Sequence, residues 1–73
     1  MKINDPDFYF HKKIRVYSPN GIITAGELYG YDYDYDDNGK EFLEFDIERD
    51  DGFLISFTEE EIERIEIIGE ENG

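Results

Sequence analysis

The stretch YGYDYDYDDNGKEFLEFDI, residues 29–47, alternates apolar residues with acids on both sides of Asn38-Gly39. Period-two alternation reads as a strand with one covered face. Asn-Gly between two such runs reads as a hairpin. Loop length decides whether the two strands agree. A two-residue turn at Asn38-Gly39 pairs Tyr35 with Phe42 and Tyr33 with Glu44, and the apolar residues fall on opposite faces. A three-residue loop, Asp37-Asn38-Gly39 with Gly39 left-handed in a G1 bulge, pairs Tyr33 with Leu43, Tyr31 with Phe45 and Tyr29 with Ile47. One face then becomes continuously apolar, as the register of a half-buried hairpin requires.

The next loop passes the same test. With Asp50-Asp51-Gly52 as the loop, Ile47 pairs with Ile55 and Phe45 with Phe57, joining residues 41–49 and 53–57 into a meander. Upstream, residues 22–35 read as one long strand with Gly26 and Gly30 marking a bend or bulge. Ser18-Pro19-Asn20-Gly21 is a turn by composition. Before it, residues 13–17 alternate, with Ile14 and Val16 inward and Lys13 and Arg15 outward. Asp5-Pro6 starts a short helical turn, with Asp5 as cap and Pro6 at its first position. Thr58 and Glu61 form a capping-box pattern for a second turn. Ile65, Ile67 and Ile68 supply a last strand. The expectation is a mainly β fold of five strands, the second strongly bent.

All 73 residues form one small domain, residues 1–73, with an amino-terminal segment 1–12 and a loose tail 69–73. The chain has no cysteine, so burial must stabilise it, and an aromatic content of 16% supplies large buried areas. Its net charge is −13. Such a surface repels phosphate backbones and anionic membranes. Its natural partners are basic proteins, cations or nothing in particular, and the plain reading of the charge is solubility. With no apolar run long enough for a membrane span or signal segment, the expected location is the cytoplasm.

The register also defines an acidic face: Asp32 opposite Glu44, with Asp34, Asp36, Asp46 and Glu48 nearby. Like charges directly opposite cost on the order of 0.2–1 kcal/mol per pair, less salt screening. The face is therefore either held in water or used. Residues 34–39 also begin like an EF-hand loop, but position twelve is Phe45 and position eight is Glu41, and the flanks are strands. What remains is a weak calcium candidate of Asp34, Asp36 and Asn38, against the plainer reading of a solvated turn.

Catalysis finds no constellation here, and no cofactor is expected. His11, the single histidine, sits beside Lys12 and Lys13 and reads as solvent-facing. The ladder Tyr29, Tyr31, Tyr33, Tyr35 has the spacing to stack bases. Facing Leu43, Phe45 and Ile47, it reads more simply as core, with the Tyr35 end emerging toward water. Lys13 and Arg15 belong to the one basic patch. Its plain reading is a solvated strand face; its sharper one is docking on the acidic face of a second copy.

The stretch IRVYSPNGIITAGELYGYD, residues 14–32, resembles the first half of the Sm/LSm signature. It has Ile14 and Val16 at alternating apolar positions, then Gly21, Gly26, Leu28 and the pair Tyr31-Asp32. The chain is also similar to small Sm-like proteins of Gram-positive bacteria and their phages. The resemblance implies an SH3-like small barrel and assembly through edge strands. It does not carry RNA binding across. The Met-Asn-like pair after the Asp is missing, and Ile55-Ser56-Phe57-Thr58 lacks the later Arg and Gly. The expected function is a non-enzymatic, self-associating protein-interaction module. The rival is a DNA mimic, because carboxylates two residues apart on a strand lie roughly 6.5–7 Å apart, near the phosphate repeat.

Overall fold

The computed structural model describes residues 1–70. Strands β1 (Lys12–Tyr17), β2 (Ile23–Tyr35), β3 (Glu41–Arg49), β4 (Leu54–Thr58) and β5 (Arg64–Glu70) form one antiparallel sheet in the order β4-β3-β2-β1-β5. Short 3-10 turns cover Pro6–Tyr9 before β1 and Glu59–Glu61 between β4 and β5. The mainly β, five-stranded expectation and both turns are present. The sheet itself is not closed, since β4 and β5 are its edges and no ladder joins them among the described residues. Of the expected tail, Gly69 and Glu70 belong to β5, and residues 71–73 lie outside the described residues.

All three hairpin loops use one chemistry. In each, the glycine is left-handed: φ is 91° at Gly21, 79° at Gly39 and 89° at Gly52. Each glycine N–H donates back to the carbonyl three residues earlier, on Ser18, Asp36 and Arg49. Each loop also closes with a second bond, from Ser18 N–H to Ile22, Asp36 N–H to Lys40 and Arg49 N–H to Phe53. This is the three-residue loop with a G1 bulge that parity requires. Side-chain oxygens of Asn20, Asp36 and Asp51 accept further backbone N–H bonds within their loops.

The register of β3 matches the expectation at Tyr33–Leu43, Tyr31–Phe45, Phe45–Phe57 and Ile47–Ile55. It differs at Tyr29. Leu28 pairs with Ile47 and Gly30 with Asp46, so a bulge intervenes and Tyr29 is the extra residue. The bulge inverts parity along β2. Leu28 takes the core position, fully buried, and Tyr29 turns outward with 58% exposure. Tyr33 and Tyr35 keep the inner-face parity but run past the end of the core and are exposed, so of the ladder only Tyr31 packs against it.

The sheet has to curl. Laid flat, its registers would put Thr58 level with Asp32 and Arg64 level with Ile23. Those levels lie roughly 30 Å apart along β2, with another ~19 Å across four strand spacings. The link from Thr58 to Arg64 reaches only about 20 Å even when fully extended, and it contains a 3-10 turn. Curling wraps the strands around one core of Ile14, Val16, Leu28, Phe45, Ile47 and Ile62, with Leu43, Phe57 and Ile3 at its margin.

At Gly26 the backbone of β2 lies close against β3. A Cβ built there would lie 2.3 Å from the Glu48 carbonyl oxygen and 2.8 Å from Ile47 Cγ2. Backbone cannot yield as a side-chain tip can, so β2 passes β3 here only as glycine. At Gly30, by contrast, a Cβ would meet nothing within 4 Å. Urea denaturation should therefore separate the two: Gly26→Ala loses about 1–3 kcal/mol or more, while Gly30→Ala stays within about 0.5 kcal/mol of the parent.

Candidate functional site

β2 and β3 continue beyond the other strands as a two-stranded arm. β1 pairs with β2 only from Ile23 to Glu27, and β4 reaches only Glu44. The acidic residues lie along this arm and the adjoining sheet. Asp32 stands directly opposite Glu44, as the register demands, and Asp34 stands opposite Phe42. Asp46 lies between Gly30 and Ser56, and Glu48 lies between Glu27 and Leu54. The carboxylates share a region of sheet but not one uniform role.

Most of them accept hydrogen bonds locally. Asp32 Oδ1 accepts the Tyr33 N–H at 2.9 Å, and Asp34 Oδ1 accepts the Tyr35 N–H at 2.8 Å. Asp36 Oδ1 accepts the N–H groups of Asn38 and Lys40, both at 2.9 Å, and so braces the turn. Asp46 Oδ1 accepts the Ser56 hydroxyl at 2.7 Å. The calcium candidate is thus divided, with Asp34 turned to one backbone donor and Asp36 to two others. Among the described residues no group of three or more His, Cys, Asp or Glu is arranged to hold a metal ion.

Strand geometry explains the first two bonds. Asp36 N–H points at Lys40 across the hairpin. Backbone groups alternate sides along a strand, so the N–H groups of Tyr33 and Tyr35 point away from β3. No strand pairs with that side of β2 beyond Glu27 among the described residues. Asp32 and Asp34 therefore cap an unpaired edge with their own carboxylates.

The basic patch is also engaged. Arg15 Nη1 donates to Glu66 Oε1 at 2.5 Å, and the Tyr17 hydroxyl donates to the same oxygen at 3.1 Å. These neighbours, Tyr17 first and Arg15 second, hold the Glu66 carboxyl below its usual range. Arg64 lies over the Tyr17 ring with its Cζ 3.9 Å from the centroid. Lys13 Nζ reaches Asp50 at 3.5 Å, both side chains well exposed. His11 is exposed as expected, with a backbone φ of 62°, its N–H on the Leu28 carbonyl and Nδ1 3.4 Å from Glu27 Oε2. Its ring stacks on Phe10 at 4.0 Å.

An aromatic run crosses the inner side of the arm. Phe10 and Tyr31 are 6.1 Å apart edge to face, and Tyr31 and Tyr33 are 6.3 Å apart edge to face. Tyr31 donates to Asp7 Oδ1 at 2.5 Å. That bond, then partial burial, pushes the Tyr31 hydroxyl up to about 12.

Glu59 is the residue that sequence reasoning missed. Its carboxylate accepts the Ile3 N–H at 2.9 Å and the Leu43 N–H at 3.2 Å, joining the amino-terminal segment to β3 where β4 has ended. Nothing in a run of three glutamates singled it out. Its partners lie far away in the chain.

Comparison with known proteins finds no matching family model, no matching curated protein and no matching solved structure.

Two measurements check this geometry. Burial alone would raise the Glu59 carboxyl, but the Ile3 and Leu43 N–H groups, with Lys2 nearby, outweigh it and hold the group low. A depressed folded-state value means that its stabilisation is complete above the unfolded value of about 4.5 and is lost as pH falls through the lower folded value. Glu59→Gln should cost about 1.5–3 kcal/mol at neutral pH, and its chemical-denaturation midpoint should vary less with pH on the acid side. In an ultraviolet alkaline titration, Tyr31 of the folded protein should ionise near 12, and Asp7→Ala should bring that component down.

Proposed function

We propose that this chain is a non-enzymatic protein-interaction module that associates with copies of itself through β4 and β5, the two edges of the sheet. The observation that carries this reading is that, among the described residues, neither edge pairs with another strand and both carry exposed aliphatic side chains. Leu54 on β4 is 59% exposed, and Ile67 and Ile68 on β5 are 37% and 43% exposed. Alternation points the backbone groups of Leu54 and Ser56 outward from β4, and those of Ile65 and Ile67 outward from β5. An edge left in this state is a template for another strand.

The contact is heterologous, with β4 of one copy beside β5 of the next, and repeats into a ring or a filament according to the rotation it imposes. The Sm/LSm resemblance and a curled, barrel-like reading of the sheet point the same way. Docking of Lys13 and Arg15 on a neighbour's acidic face is the weaker route, because Arg15 already holds Glu66. No feature of the acidic residues favours DNA mimicry over this reading, since several of them serve their own backbone.

Light scattering coupled to size exclusion decides the matter. The parent should elute as a multiple of the 8.7 kDa chain at micromolar concentration. Ile67→Lys on one edge, or Ser56→Pro on the other, should return it to monomer while the far-ultraviolet spectrum is kept. A monomeric parent at all concentrations overturns the proposal.

A further inference from the structure

The arm of β2 offers a third edge, separate from the two that would join copies. From Gly30 to Tyr35 it has β3 on one side and no strand on the other among the described residues. The backbone N–H and C=O groups of Tyr31, Tyr33 and Tyr35 point to that open side. Its two faces differ sharply: Tyr31, Tyr33 and Tyr35 line one, and Asp32 and Asp34 the other. Residues 27–37 include Glu27, Asp32, Asp34, Asp36 and Asp37 and no basic residue.

We infer that this edge is a docking site for an extended, basic segment of another protein, which adds as a strand beside Tyr31–Tyr35 with arginine or lysine at alternate positions. Charge complementarity chooses the occupant. A second copy of β2 is excluded, because antiparallel pairing of two such edges would set aspartates against aspartates, and like charges directly opposite are destabilising. A cationic strand reverses that sign.

The aspartates have a role in both states. Unoccupied, Asp32 and Asp34 satisfy the Tyr33 and Tyr35 N–H groups and blunt the edge. Occupied, the incoming carbonyls accept those N–H groups, and the released carboxylates meet the basic side chains on the same face. The exchange trades an exposed side-chain bond for a backbone bond, so little is lost by opening the edge. On the opposite face the residues between the basic ones lie against the tyrosine rings.

The test uses a fluorescent eight-residue peptide of alternating Arg and Thr, followed by anisotropy. Two peptides of identical charge accompany it, one N-methylated at every Arg and one at every Thr, with a Glu-Thr peptide as the acidic control. The basic peptide should bind, the acidic one should not, and at least one N-methylated form should lose about tenfold or more in affinity because its backbone can no longer donate to the edge. Tyr33→Pro removes an outward N–H without touching the β2–β3 ladder and should lose binding comparably, whereas Tyr33→Ala should stay within a fewfold of the parent.

Equal binding of all three basic peptides would reduce the effect to bulk charge and overturn the proposal. So would no binding by any of them, or preference for a single-stranded oligonucleotide on the tyrosine face. Ile67→Lys should leave peptide binding unchanged, so failure here and failure of self-association are read separately.

Discussion

Strand β2 has to serve two neighbours that demand opposite parities, and the bulge at Tyr29 and Gly30 is what allows it. In its first half, alongside β1, the inward positions are even-numbered: Thr24, Gly26 and Leu28. In its second half, alongside β3 alone, they are odd-numbered: Tyr31 and Tyr33. Without the extra residue, one half would present its acids to the core. With it, a single strand turns the corner of a curled sheet, Gly26 lets that corner close against Ile47, and the short link after β4 can reach β5.

This dependence explains which parts of the fold were legible beforehand. The hairpins were readable because turn chemistry and strand parity are local, and a wrong loop length would have scrambled the faces at once. The bulge was foreseen near Gly30 but its effect on Tyr29 was not. Parity on one side of a bulge carries no information about the other until the third strand is in place. Glu59 and Ile3 were invisible for a different reason. Each acts across the fold on a partner set by tertiary packing, and Glu59 does not differ in type from the glutamates beside it. Alternation suggested a common strand face for the acidic residues, but their bonding to individual backbone donors follows from an edge that only the strand order reveals.

The acidity of the chain therefore has two components. Part of it is surface charge, with the usual consequences for association and solubility. Another part does structural work at the ends and edges of strands. Asp32 and Asp34 cap the open side of β2, Asp36 braces a turn, Glu59 covers Leu43 where β4 stops, and Glu61 accepts the Thr58 N–H. Except in the turn, the carboxylate stands where another strand's carbonyl would be. A small sheet with several unfinished edges has many such places, which accounts for some of its acids without reference to a partner.

The order of the strands also sets how the chain reaches this state. From β1 to β4 every neighbour in the sheet is a neighbour in sequence, joined by the same tight loop, so those contacts form early and independently of length. β5 is the exception. It returns to β1 across the whole chain, and Arg15 meets Glu66 at a separation of 51 residues. Loop-closure entropy places that contact at the end of folding, and a seam formed last is the one expected to open first. Substitutions along the seam register mainly in the unfolding rate and leave the folding rate close to its original value.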